Sequence, residues 1–112
     1  MPYCITELKS GELASASSYT VKIWDLKTKA CVTTLDGHIQ TVNWIAELKN
    51  GELASASQDF SIKILDIENK ACVCSLSGHK FDVYCIAELK SGKIASGGRD
   101  GNIKIWDYLF NF

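Results

Sequence analysis

Two combinations of residues in this chain could carry chemistry. His79 and Asp100 could form a catalytic acid–base pair. Cys72 and Cys74 flank Val73, so on a β-strand their thiols project to the same face and could supply two ligands of a metal site. Both interpretations depend on the elements that position these side chains.

An internal repeat surrounds these residues. The stretch GELASAS occupies Gly11–Ser17 and Gly51–Ser57 and returns as GKIASGG at Gly92–Gly98. A tripeptide IWD, or ILD in the middle copy, follows each stretch at intervals of 41 residues, at Ile23–Asp25, Ile64–Asp66 and Ile105–Asp107. A period of about 40–45 residues with Gly-His early and Trp-Asp late is typical of a propeller blade of four short strands.

The middle copy predicts four strands joined by tight turns. Asn50-Gly51 is a strong hairpin signal, and the small side chains of the second strand let neighbouring sheets approach closely. No segment has helical periodicity. The predicted strands are Val42–Leu48, Leu53–Ser57, Ile62–Asp66 and Ala71–Leu76.

The first and third copies are shortened at opposite ends. The first opens without the preceding Gly-His, and the third has only Tyr108–Phe112 after its Trp-Asp pair. The expected fold class is therefore all-β, with about eleven strands in about three consecutive four-stranded antiparallel blades. One chain does not close a ring of such blades.

The repeat also bears on the cysteines. Cys4 and Cys85 share a repeat position that Trp44 fills in the middle copy, so it is interpreted as a packing position. There is no CxxC spacing, and the count of five is odd. The sequence therefore predicts reduced, buried thiols, and we expect no metal and no cofactor.

Composition narrows the classes of partner. The 112 residues are 46% hydrophobic and 22% charged, as in ordinary folded proteins. The net charge is −1 with both signs interleaved, so we expect neither nucleic acid nor a membrane as a partner. There is no secretion signal and no apolar run of about 20 residues, and the expected location is the cytoplasm or the nucleus.

These motifs resemble those of the WD-repeat family of β-propellers, and the resemblance covers essentially the whole chain. It is carried by the in-register Gly-His pairs, the LASAS-type strands, the turn aspartates and the Trp-Asp pairs, which are Gly37-His38, Gly78-His79, Asp59, Asp100, Trp24-Asp25 and Trp106-Asp107. Residues 1–112 are accordingly interpreted as a partial propeller with approximate units 2–36, 37–77 and 78–112.

The resemblance implies a structural role for the histidines. In that family a His, a turn Asp, a strand Ser or Thr and the Trp form a hydrogen-bonded set inside each blade. The third unit matches in full, the second has Leu65 at the Trp position, and the first retains two members. The matching residues are His79, Ser96, Asp100 and Trp106, then His38, Ser55 and Asp59, then Ser15 and Trp24.

For function, the resemblance implies a non-catalytic scaffold that mediates protein–protein interaction. The alternative is a regulatory or sensor propeller segment of a larger signalling protein or enzyme. Partners are expected at the end of the blades that carries the Gly-His connections and the Asp turns. Residues that break the repeat there are the candidate contacts, although the two phenylalanines could also simply cap the turns: Tyr19, Ile39, Gln40, Phe60, Lys80, Phe81 and Arg99.

Three blades leave two apolar sheet faces to be covered. The chain could be a fragment of a larger propeller, which the absence of capping repeats favours. It could also associate with itself, for instance as two chains with six blades. We expect self-association or additional blades in either case.

Overall fold

The computed structural model describes residues 2–36, 38 and 40–107, except for the side chains of residues 2 and 3. This part of the chain forms eleven strands and contains no helix that could cross a membrane. The strands are β1 (Pro2–Glu7), β2 (Leu13–Ser17), β3 (Thr20–Asp25), β4 (Ala30–Leu35), β5 (Val42–Glu47), β6 (Leu53–Ser57), β7 (Ser61–Asp66), β8 (Ala71–Ser77), β9 (Val83–Glu88), β10 (Ile94–Gly98) and β11 (Ile103–Trp106).

The strands form three antiparallel sheets in which they follow one another in chain order. The first sheet is β1–β4, the second β5–β8 and the third β9–β11. The second sheet lies between the other two, because β5 contacts both β1 and β9. The predicted all-β fold of consecutive antiparallel blades that do not close into a ring is confirmed.

The middle sheet differs from its predicted strand bounds by one residue at three places. β5 ends at Glu47 rather than at Leu48, β7 begins at Ser61, and β8 extends to Ser77. The segment Tyr108–Phe112, expected to be too short for a last strand, lies outside the described residues.

The same glycine turn joins the first two strands of every sheet. In the middle sheet the Gly51 N–H donates to the Leu48 carbonyl at 2.9 Å, and Gly51 has a φ of 91°. Glycine adopts this left-handed conformation without a Cβ clash. Gly11 and Gly92 repeat the geometry, with φ values of 90° and 91°.

The core consists of two apolar layers, each between two neighbouring sheets. β6 is buried at all five of its positions because the middle sheet is covered on both faces. The first layer contains Ala14, Ala16, Val21, Ile23, Val42, Ile45, Leu53 and Leu65. The second contains Ala54, Ala56, Ile62, Ile64, Val83, Ile86 and Ile94. The alanines at the centre of each layer keep the backbones of adjacent sheets close.

The prediction of buried thiols was wrong. Cys31, Cys72 and Cys85 are exposed, while Cys4 and Cys74 are partly buried, and all five are free. The outer strands carry Cys31 and Cys72 on solvated positions. Cys85 lies on the face of the third sheet that no other described sheet covers.

Burial is uneven along the first strand of the middle sheet. Val42 and Ile45 are buried, whereas Trp44 is exposed. Trp44 occupies the repeat position of Cys85, so this position is not a uniformly buried packing site.

Candidate functional site

The third sheet brings together the four residues of the complete set. Ser96 Oγ accepts a hydrogen bond from Trp106 Nε1 at 2.8 Å and lies 2.8 Å from His79 Nε2. His79 Nδ1 lies 3.4 Å from Asp100 Oδ2. A neutral His79 satisfies every group if the Ser96 hydroxyl donates to Nε2 and Nδ1–H donates to the carboxylate.

Glycine makes room for this set. A Cβ on Gly98 would lie 2.8 Å from His79 Nδ1 and 3.0 Å from the backbone oxygen of Asp82. The first distance is shorter than real Cβ contacts and the second is unusually tight, so a larger residue would force the imidazole or the backbone to shift. The backbone of β10 is therefore shaped around the histidine.

The second sheet holds a tighter version without the indole. His38 Nδ1 lies 2.7 Å from Asp59 Oδ2, and Nε2 lies 2.6 Å from Ser55 Oγ. Leu65 is buried where the third sheet has Trp106. In place of an indole, Ser55 Oγ meets the Lys63 carbonyl oxygen, to which it can donate at 3.5 Å.

Burial and hydrogen bonding set the charge states in the second sheet. Burial lowers the pKa of His38 and outweighs the hydrogen bond and negative charge of Asp59, which raise it. Burial opposes ionisation of Asp59, but hydrogen bonds from Ser61 and His38 prevail and lower its pKa. At neutral pH, His38 is therefore a neutral imidazole beside the ionised carboxylate of Asp59.

The first sheet retains one bond of the set. Trp24 Nε1 donates to Ser15 Oγ at 2.9 Å. The hairpin between β2 and β3 has only Ser18 and Tyr19 outside the strands, and Ser18 has a φ of 51°. This shorter turn leaves no position for the aspartate that the other two hairpins carry.

These sets are built to hold loops in place. Ser96 and Ser55 are buried, so neither hydroxyl is accessible to a substrate. No group of three or more His, Cys, Asp or Glu among the described residues could hold a metal ion. Each histidine instead ties the connection that enters a sheet to the hairpin beside it. We call this end of the sheets the histidine end.

Two aromatic rings from different sheets meet at the histidine end. Phe60, in the β6–β7 hairpin, and Phe81, in the connection to β9, have ring centroids 6.4 Å apart and an interplanar angle of 61°. The edge-to-face arrangement is a favourable one for aromatic pairs. Phe60 is 44% exposed and Phe81 49% exposed, so the pair presents an apolar surface to solvent.

The other candidate contacts are spread over the same end. Arg99 is exposed, and its N–H donates to the Asp82 carbonyl at 2.8 Å, which places Arg99 beside the connection that carries Phe81. Tyr19, Gln40 and Lys80 are also exposed. The structure therefore brings Phe60 and Phe81 together and places the backbone of Arg99 beside Asp82, the neighbour of Phe81. Ile39 lies outside the described residues.

Sequence reasoning missed the backbone at Phe60. Its φ of 73° is left-handed, which is rare for a bulky residue. The signal was present in the alignment of repeats, because the counterpart of Phe60 is Gly101, with a φ of 79°. A glycine position filled by an aromatic residue predicts such a conformation.

Sequence reasoning also missed a contact between sheets at the opposite end. The backbone N–H of Lys9 donates to Glu47 Oε1 at 2.9 Å, and the backbone N–H of Lys49 donates to Glu88 Oε1 at 2.8 Å. The signal was the recurring Glu-Leu-Lys at the end of each first strand. This contact holds successive sheets in register.

Comparison with known proteins agrees with this architecture. The family model for the WD domain, G-beta repeat, matches residues 29–66 and 70–107. Each matched segment covers the outer strand of one sheet and the first three strands of the next, so sequence repeat and sheet are offset by one strand.

A solved structure with the same fold is the crystal structure of the WD40 beta propeller domain of Doa1. It is 29% identical in sequence, with a TM-score of 0.86 over 95% of this chain. The alignment covers 36% of that chain, so this protein spans little more than a third of the matched length. Family, fold and sheet order agree, and the chain belongs to the WD-repeat (WD40) family.

Proposed function

We propose that this chain is a non-catalytic scaffold that binds a protein partner at the histidine end. WD40 propellers generally serve as platforms for protein interaction. The observation that carries the proposal is the exposed Phe60–Phe81 pair, since aromatic residues are enriched at binding hot spots.

The backbone at Phe60 supports a role for its ring in binding. A left-handed conformation costs a residue with a Cβ roughly 1–2 kcal/mol, whereas glycine would adopt it freely. The ring is half-exposed, and its packing against Phe81 stabilises the fold by about 0.5–1.5 kcal/mol. Stability alone therefore gives no clear reason for phenylalanine at this position.

The chemistry of this surface indicates the kind of partner segment. The two rings offer an apolar contact, and Arg99 beside them offers a planar cation that pairs well with carboxylates. We therefore propose a partner segment that places an apolar or aromatic side chain on the ring pair and a carboxylate near Arg99.

Phe60→Gly is the sharpest test, because it installs the residue that the third sheet has at the same place. We expect the free energy of unfolding to stay within about 1 kcal/mol of the wild type, since relief of backbone strain offsets the lost ring contact. Peptides selected on the wild-type protein from a phage-displayed library should bind the variant at least about fivefold more weakly, the effect of losing roughly 1 kcal/mol.

Val73→Ala is the matched control, because Val73 is equally exposed but lies on the outer strand β8. It should leave peptide affinity unchanged. Peptides that keep full affinity for Phe60→Gly, and lose it when the turn at Lys49-Asn50-Gly51 is altered, would place the binding surface at the other end of the sheets.

A further inference from the structure

The two outer sheets each expose a face whose repeat counterparts are buried. On the third sheet Ile103 is 76% exposed and Ile105 is 56% exposed. Their counterparts in the middle sheet, Ile62 and Ile64, are both fully buried. We call the face of a sheet that carries these positions its trailing face. On the third sheet it consists of Ala95, Gly97, Ile103 and Ile105.

The first sheet exposes the opposite face. Ile5 is 60% exposed, whereas its counterparts Ile45 and Ile86 are almost completely buried. Leu13 is partly exposed, whereas Leu53 is fully buried. We call this the leading face. On the first sheet it consists of Ile5, Leu13 and Trp24.

Trailing and leading faces already pack against each other twice within the chain. In the first layer, Val21 and Ile23 of the first sheet's trailing face pack with Ile45 and Leu53 of the middle sheet's leading face. The second layer repeats this contact one sheet later. The two open faces are therefore the two halves of an interface that the sequence builds twice.

A hydrogen bond repeats in the same pattern. At each internal interface the backbone N–H of a lysine on the trailing side donates to the carboxylate of a glutamate on the leading side. The two pairs are Lys9 with Glu47 and Lys49 with Glu88. The next donor in this series is the Lys90 N–H, and the preceding acceptor is the Glu7 carboxylate. Within the described residues neither of these groups makes a hydrogen bond.

We propose that a second copy of this chain covers both open faces in a head-to-tail arrangement. The leading face of each copy packs on the trailing face of the other, and Glu7 of one copy accepts from the Lys90 N–H of the other. An open apolar depression of about 380 Å³, lined by Cys85, Ala95 and Ile103 among others, receives the aliphatic side chains of the leading face.

The number of copies follows from the number of sheets. Propellers typically have between four and eight blades. Two copies give six sheets, whereas three would give nine. Because the contact joins different faces, it is heterologous and must close into a ring to end at two copies. This assembly is separate from the partner-binding surface proposed above.

Sedimentation velocity at micromolar concentration tests the arrangement with two variants, one on each face. The wild type should be a dimer. Ile105→Glu on the trailing face and Ile5→Glu on the leading face should each be monomeric, because every contact in either dimer then contains one altered face. An equimolar mixture of the two variants should associate again, since one contact between unaltered faces becomes available.

Other results would overturn the proposal. A monomeric wild type would mean that the open faces are covered by something other than a second copy. If one variant dimerised as well as the wild type, like faces would be meeting. If the mixture stayed monomeric while both variants kept the circular dichroism of folded sheet, head-to-tail packing would be excluded.

A milder pair of variants tests the hydrogen bond without altering the apolar faces. Glu7→Ala should raise the dissociation constant of the dimer about tenfold, because two hydrogen bonds to a charged acceptor are lost from each dimer. Glu68→Ala removes an exposed glutamate in the β7–β8 turn and should leave the constant unchanged. Equal dissociation constants for wild type, Glu7→Ala and Glu68→Ala would rule out the Glu7–Lys90 contact and with it the proposed register.

Discussion

At the scale of single residues, the two histidines show how one position adapts to different neighbours. In the third sheet Ser96 is shared by His79 and the Trp106 indole. In the second sheet leucine replaces the indole, and His38 lies closer to both Ser55 and Asp59 than His79 does to its partners. The histidine therefore remains the link between connection and hairpin whether or not the tryptophan is present.

The charge state of His38 gives the stability a defined pH dependence. Burial lowers the pKa of His38 in the folded chain, while the unfolded chain binds a proton near pH 6.5. The unfolded state thus binds more protons as the pH falls, and the folded state loses stability. Urea unfolding should show a lower free energy of unfolding at pH 5 than at pH 7.5.

The variant His38→Gln isolates this contribution. It should be less stable at pH 7.5 but should lose less stability between pH 7.5 and pH 5 than the wild type does. Asp59 and Asp100, whose pKa values are lowered, add a further loss only below about pH 4. If His38→Gln lost as much stability between pH 7.5 and pH 5 as the wild type does, the pH dependence would not come from His38.

At the scale of strands and turns, the sequence was informative because its signals are local. The alternation of apolar residues and the glycine turns placed β5 to β8 within one residue at each end, and the repeat carried that pattern to both neighbours. The residues of the histidine sets could be named for the same reason, since each occupies a fixed place in the repeat.

What the sequence did not predict depends on neighbouring sheets. Whether Trp44 or Cys85 is buried depends on what covers that face, and no pattern within the strand contains this information. The edge-to-face contact of Phe60 with Phe81 joins two sheets, so it required the structure. The left-handed backbone of Phe60 was visible only by comparison with Gly101.

Gly51, in the β5–β6 turn, and Gly98, at the end of β10, should respond differently to substitution by alanine. Gly51→Ala meets no atom within 4 Å, so its cost arises from the positive φ and should be roughly 1–2 kcal/mol. Gly98→Ala should cost more, because its Cβ would collide with His79 Nδ1 and the Asp82 backbone. Denaturant titrations measure both losses.

Nuclear magnetic resonance of the imidazole nitrogens distinguishes the two mechanisms. Gly98→Ala should shift the His79 resonances, and Gly51→Ala should leave them in place. Unchanged His79 resonances in a Gly98→Ala variant would mean that the backbone of β10 moves and the histidine set does not.

At the scale of the whole molecule, protection should follow the stacking of the sheets. Repeat proteins gain stability from intrinsic terms of each unit and from contacts between neighbours. The middle sheet has two neighbours, and the outer sheets have one each. The free energy of local opening should therefore be highest in the middle and lower on either side.

Amide hydrogen exchange at two protein concentrations tests this order together with the proposed assembly. Amides of β6, which is buried at every position, should exchange most slowly at any concentration. Those of β10 should exchange faster in dilute solution, because only one side of their sheet is covered. Raising the protein concentration should slow exchange in β10 more than in β6. Binding a second copy covers the open face of the third sheet and stabilises that sheet by mass action, whereas the middle sheet is already covered on both sides. The variant Ile105→Glu is the control, and its β10 amides should exchange at the same rate at both concentrations. Concentration-dependent protection that persisted in this variant would mean that the association does not use the trailing face.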